Sequence, residues 1–141
     1  MLEFTIHPTE LPWSTNKDRN LNPYQRAKLI KSWKSDTAAA WMTVSRDDQD
    51  TYCEGRVYAP GDPNVVGGYA LHFPPTIIQV EIGFTTSRKR DPHNYCGTVL
   101  KAVIDALVNK GLWPDDTPEY IGHREPILIK SQLTRVFFTH G

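Results

Sequence analysis

Hydrophobic and polar positions change period several times along this chain, and each change marks an element. Leu2, Phe4 and Ile6 alternate with Glu3 and Thr5, the two-residue period of a half-buried strand. His7-Pro8 ends it, because proline has no hydrogen to donate to a sheet ladder. Residues 9 to 23 are rich in turn formers and read as a loop anchored by Trp13. From Pro23 to about Val44 the period is helical, with Ile30, Trp33, Thr37, Trp41 and Val44 along one side and Ala38-Ala39-Ala40 adding propensity. The tryptophans on that apolar side belong to a core, not to a base-stacking surface. Residues 45 to 75 have little periodicity. Asp47, Asp48, Asp50 and Glu54 give an acidic loop, and glycines and prolines break the remainder into short strand pieces near 56–58 and 69–73.

Thr76 to Thr85 is the clearest strand, with Ile78, Val80, Ile82 and Phe84 on one face and Gln79 and Glu81 on the other. A helix over 91–107 follows from Leu100, Val103, Ile104 and Leu107 at i, i+3, i+4, i+7, with Cys96 extending the stripe by one turn. Asp91-Pro92 is a helix start, since a short acid accepts the free amides of the first turn and proline lacks one. Lys110-Gly111 is its stop. Gly97 inside it costs about 1 kcal/mol relative to alanine. Tyr120-Ile121 and 127–139, rich in β-branched and aromatic residues, read as further strands. The fold class is α+β: a single compact domain over 1–141, a mixed β-sheet packed by two main helices.

Composition narrows the function. The 141 residues, 39% hydrophobic, suffice for one modest core. Sixteen basic and sixteen acidic residues cancel, so any attraction to nucleic acid must come from local clusters, which argues against a general DNA-coating protein. Cys53 and Cys96 lack the spacing of a zinc or redox motif and read as free thiols of a reducing cytosol. The N-terminus has no basic region followed by a long apolar run, and no stretch approaches membrane-spanning length, so a soluble cytoplasmic protein is expected.

The candidate chemistry lies between Arg88 and Asp116. Arg88-Lys89-Arg90 leads into Asp91, and Asp115-Asp116 follows the helix. On the polar side of the helix Lys101 and Asp105 stand one turn apart, so the ammonium faces the acids. Each feature also has an ordinary reading: Asp91 as a cap, Asp115-Asp116 as a turn, Lys101-Asp105 as a surface pair, the basic triplet as a solvated strand end. The basic half of the long helix, Arg26, Lys28, Lys31 and Lys34, is either a solvated face or a contact for DNA phosphates. Asp47-Asp48-x-Asp50 lacks the glycine and terminal glutamate of a calcium loop and is a solvated turn. Magnesium needs only one or two carboxylates besides water and phosphate oxygens, so Asp91 with Asp116 would suffice. A straight helix would hold them roughly 25 to 30 Å apart, so a shared ion requires the turn after Trp113 to fold back, a later helix start, or a dimer.

The pattern Arg-Asp-x-x-Asn, Lys-Ala-x-x-Asp-Ala-Leu and Gly-x-Trp-x-Asp-Asp, dense over residues 88 to 120, resembles the RusA-like crossover-junction endodeoxyribonucleases, which resolve Holliday junctions and are common in phages and prophages. The resemblance implies a homodimer that nicks branched DNA in symmetric pairs, using Mg2+ with Mn2+ as a substitute. It implies that Asp91 and Asp116 ligate the metal, with Asp115 as neighbour and candidate second ligand, and that Lys101 approaches the scissile phosphate or leaving group. The basic residues Arg88, Lys89, Arg90, Lys28 and Lys31 are the candidate DNA contacts. His93 stands where the family has a second acid; it would ligate through a ring nitrogen, act as general base or contact a phosphate. Glu119 and His123 are secondary candidates. Two other readings stand beside this one. A junction-binding accessory protein would have lost catalysis with that acid; a nucleotide-binding or RNA-processing protein would need a single-strand preference that no exposed aromatic motif supports.

Overall fold

The computed structural model describes residues 2–45, 65–66, 69–70, 76–113, 115–118 and 120–140. Its elements in order are β1 (Leu2–Ile6), α1 (Thr15–Arg19), α2 (Pro23–Met42), β2 (Val65–Val66), β3 (Tyr69–Ala70), β4 (Thr76–Phe84), a 3-10 turn (Pro92–Tyr95), a π turn (Cys96–Leu100), α3 (Lys101–Asn109), β5 (Ile121–His123), β6 (Ile127–Lys130) and β7 (Thr134–His140). The fold is α+β, and the described residues form a mixed five-stranded sheet, a two-stranded β2–β3 pair and three α-helices. The expected strand piece at 56–58, the acidic turn at 47–50 and Cys53 lie outside the described residues.

The sheet runs β1-β7-β4, with β5 and β6 end to end along the far edge of β4. β7 is antiparallel to β1 and β4, whereas β5 and β6 are parallel to β4. The helix between β4 and β5 is therefore the crossover that parallel neighbours require. Alternation fixes the faces: Phe4, Ile6, Ile78, Val80, Ile82, Val136 and Phe138 point at the helices and are buried. Phe138 gathers the aromatic core, with Phe4, Trp41 and Trp113 at centroid distances of 5.7, 5.9 and 5.5 Å.

Several expectations need correction. The loop over 9–23 contains α1, capped by the Ser14 hydroxyl, which accepts from the Lys17 amide. Trp13 anchors it as expected: it is 1% exposed, and its indole donates to Asp18 while its carbonyl accepts from Thr98 Oγ1. The long helix ends at Met42, and Leu29 and Ala40 fill its buried stripe where Ile30 and Val44 had been expected. The start of that helix is a full capping box, Asn22 with Gln25. The helix expected over 91–107 is continuous in sequence but not in geometry, since it tightens and then widens before becoming α-helical at Lys101. The run 127–139 is two strands broken at 131–133; of the 69–73 piece Tyr69–Ala70 is a strand paired with Val65–Val66, and 71–73 lie outside the described residues. No described helix is long and apolar enough to cross a membrane.

Gly83 explains that break. A Cβ there would collide with the carbonyl oxygens of Leu133 and Ser131, so the chain between β6 and β7 crosses directly over it. By contrast, a Cβ at Gly97 meets nothing within 4 Å. Gly83→Ala should therefore cost about 1–3 kcal/mol by overpacking, while Gly97→Ala should gain up to about 1 kcal/mol in helix propensity. Thermal melts of the two variants should move in opposite directions.

Candidate functional site

β4 ends at Phe84 and delivers the basic triplet to the carboxyl end of the sheet. Arg90 is committed there: its guanidinium donates to the Thr86 and Arg88 carbonyls at 3.1 and 3.0 Å and to Thr86 Oγ1 at 2.7 Å, and lies 4.0 Å from the Phe84 ring centre. Phe84 in turn meets Tyr95 edge-on. Arg90 thus braces the loop, whereas Arg88 and Lys89 are exposed. Arg88, Arg90 and Lys17, with Trp13, Phe84 and Tyr95, line a cleft of about 560 Å3 between this loop and the segment before α1. Lys17 is a cleft residue that no sequence motif marked; it reaches the cleft because α1 docks on the helix start through Thr15 Oγ1, which donates to the Asn94 carbonyl.

Asp91 begins the helix as its sequence suggested. Its Oδ1 accepts from the His93 amide at 3.0 Å, with Pro92 following as the residue that needs no acceptor. Both Asp91 and His93 are exposed. One turn into the helix Cys96 is half-buried, and its thiol pKa is pushed up, first by burial and then by the negative charges of Glu125 and Asp91. Glu125 therefore joins Asp91 in the electrostatic surroundings of the helix start. It lies between β5 and β6, and no periodicity or motif could have found it.

At the other end, α3 closes in a Schellman turn. Gly111 adopts φ 87°, its amide bonds the Val108 carbonyl, and the Leu112 amide bonds the Leu107 carbonyl. Leu112 and Trp113 are then buried, Trp113 against Phe138, which reverses the chain. Asp115 and Asp116 come back along the outside of the helix. The Lys101 ammonium donates to Asp105 Oδ1 at 3.1 Å and to Asp116 Oδ2 at 2.9 Å. Ten helical positions separate Gly111 from Lys101, so the return covers on the order of 15 Å.

The structure thus joins Lys101, Asp105 and Asp116, and it sets Asp91 and His93 at the helix start, ten and eight positions before Lys101. Asp115 turns inward on its own segment, its Oδ1 accepting from the Asp116 amide. Among the described residues no three of His, Cys, Asp and Glu are grouped to hold one ion. Asp91 and Asp116 each offer a single carboxylate, the kind of donor used by a cation that takes one or two carboxylates and completes its shell with water and phosphate oxygens. Glu119 lies outside the described residues, and His123 is exposed at the end of β5. Lys28 faces Glu10 at 3.8 Å, while Lys31 has no ion pair with a described residue.

The Lys101 ammonium holds the Asp116 carboxyl below its ordinary value, by hydrogen bond first and by charge second. Reciprocally, Asp116 and then Asp105 raise the Lys101 pKa. Asp116, depressed in the folded state, contributes stability above its ordinary pKa and loses it as pH falls through the folded value; Lys101, raised, contributes below its ordinary pKa and loses it as pH rises through the folded value. Both side chains are partly exposed, so the pair is worth about 1 kcal/mol or less. Lys101→Met should return the Asp116 carboxyl titration, followed by NMR, toward the ordinary carboxylate range. It should cost no more than about 1 kcal/mol in a denaturant melt at neutral pH.

Compared with protein-family models and with curated proteins, the chain matches none.

Proposed function

We propose that this protein is a metal-dependent, structure-selective endodeoxyribonuclease of the RusA-like kind, which resolves four-way junctions and other branched DNA by paired symmetric nicks as a homodimer. The observation that carries the reading is the return of Asp116 to 2.9 Å from Lys101, because two residues singled out in separate segments meet on one exposed helix face. The basic cleft beside the helix start supports it, since a chain of zero net charge needs local cationic surface to hold phosphates.

In this reading Asp91 and Asp116 would hold Mg2+, which when bound makes water a better nucleophile and neutralises charge on the phosphorane oxygens. Oδ2 of Asp116 is engaged by Lys101 and Oδ1 of Asp91 by the His93 amide, so each would offer its other oxygen. Water adds to phosphorus as the bond to the 3′ oxygen breaks, leaving a 5′-phosphate and a 3′-hydroxyl that receives the proton. Lys101, charged and held by two carboxylates, faces the phosphate as it gains charge. The His93 side chain supplies a softer nitrogen donor than a carboxylate, which favours manganese over magnesium.

On a synthetic four-way junction the protein should make paired nicks with either cation and none with EDTA. Asp91→Asn and Asp116→Asn should abolish nicking with junction binding kept, and Lys101→Met should slow it by about 10²-fold or more. Cleavage retained by Asp91→Asn removes the assignment. A second reading, a junction-binding accessory protein without catalysis, draws on His93 in place of an acid and on the ammonium already neutralising Asp116. It requires tight junction binding with no nicking in either cation.

A further inference from the structure

α2 and α3 pack side by side, and between their outer edges runs a groove of about 350 Å3. Its polar lining is Lys31, Lys34 and Ser35 from α2 with Asn109 and Lys110 from the end of α3. Its floor is Ala38 and Ala106, small enough to let a backbone approach the helices. On α2 the positions 31, 34, 35 and 38 form one i, i+3, i+4, i+7 stripe; on α3 the positions 106, 109 and 110 do the same over one turn. Among the described residues no acidic side chain lines the groove, and Lys31, Lys34 and Lys110 make no ion pair with a described residue. Three ammonium groups therefore converge with two neutral hydrogen-bonding side chains and no counter-charge from the described residues.

We propose that this groove binds the phosphodiester backbone of a nucleic-acid duplex arm, as an anchoring site separate from the place of cleavage. Lysine is a compact point charge that suits phosphate contact without base recognition, so the groove adds affinity and not sequence preference. Lys101, Asp105 and Asn109 follow at intervals of four along one ridge of α3, so the groove opens one turn beyond the Lys101–Asp105–Asp116 cluster. Eight residues of helix span about 12 Å, and successive phosphates of one strand advance about 3.4 Å along a duplex. A duplex with its axis along this ridge would thus advance about three to four base pairs between the place beside Lys101 and the groove. This rests on the nuclease reading for the place of cleavage and on the groove alone for the binding.

The test is fluorescence anisotropy with a labelled linear duplex and a labelled four-way junction, both without divalent cations, across a sodium chloride series. Lys31→Ala/Lys34→Ala/Lys110→Ala should bind both more weakly, with the slope of log affinity against log salt shallower by about 2 to 3. The corresponding triple arginine variant should keep the wild-type slope. These side chains are exposed or half-buried, so circular dichroism should show an unchanged fold. An alanine variant with the wild-type slope on both DNAs overturns the proposal, as does a wild-type protein that binds neither. A steep wild-type slope lost in the alanine variant, with no nicking under any cation, upholds the groove and removes the nuclease reading. Nicking by a protein whose alanine variant keeps its slope removes the groove alone.

Discussion

Burial of Trp113 against Phe138 is the contact on which the candidate site depends. Fully burying an aromatic side chain of this size is worth about 2–3 kcal/mol or more, whereas the partly exposed Lys101–Asp116 pair is worth about 1 kcal/mol or less. The ion pair is therefore a consequence of the chain reversal and not its cause. The reversal itself needs Gly111, whose positive φ lets the last helical carbonyls be satisfied while Leu112 and Trp113 turn inward. With the core holding 113, residues 115 and 116 run back along the polar ridge of α3.

The sheet supplies the second constraint. β4 has β7 on one side and β5 and β6 on the other, and its buried face carries the aromatic and aliphatic core. Every residue after Phe84 is thereby delivered to one edge of a rigid layer. The loop there is stiffened by Arg90, which spends its charge on local carbonyls and the Phe84 ring. Adjacent basic residues in sequence thus have different duties: Arg90 braces, while Arg88 and Lys89 remain presented to solvent. A similar division runs along α2, where Lys28 faces Glu10 and Lys31 and Lys34 line a groove.

Charge is distributed by the fold with the same economy. A chain with no net charge separates its signs into a basic cleft at the carboxyl end of β4, a lysine-lined groove between α2 and α3, and an acidic neighbourhood around Lys101. Fields of this kind act within about a Debye length, near 8–10 Å at ordinary salt, so position on the surface matters more than the total. The neutrality seen in composition hid this arrangement.

Where a period is local, the sequence by itself determined the outcome. Alternation in Leu2–Ile6 and Thr76–Phe84 chose the strands and their buried faces, and the i, i+3, i+4, i+7 stripe chose the helix that became α3. Spacing of four put Lys101 beside Asp105, and Asp91-Pro92 marked the helix start through capping that involves only neighbours in the chain. Tertiary structure decided whatever required distant residues to meet: the return of Asp116 to Lys101, the charge of Glu125 near Cys96, the docking of α1 that brought Lys17 to the cleft, and the convergence of Lys31 and Lys34 with Lys110. It also divided the helix start into 3-10, π and α geometry and split 127–139 where the chain crosses Gly83. The physical reason is the same throughout: periodicity records which face of an element is buried, but not which other element covers it or where the connecting turns send the next stretch of chain.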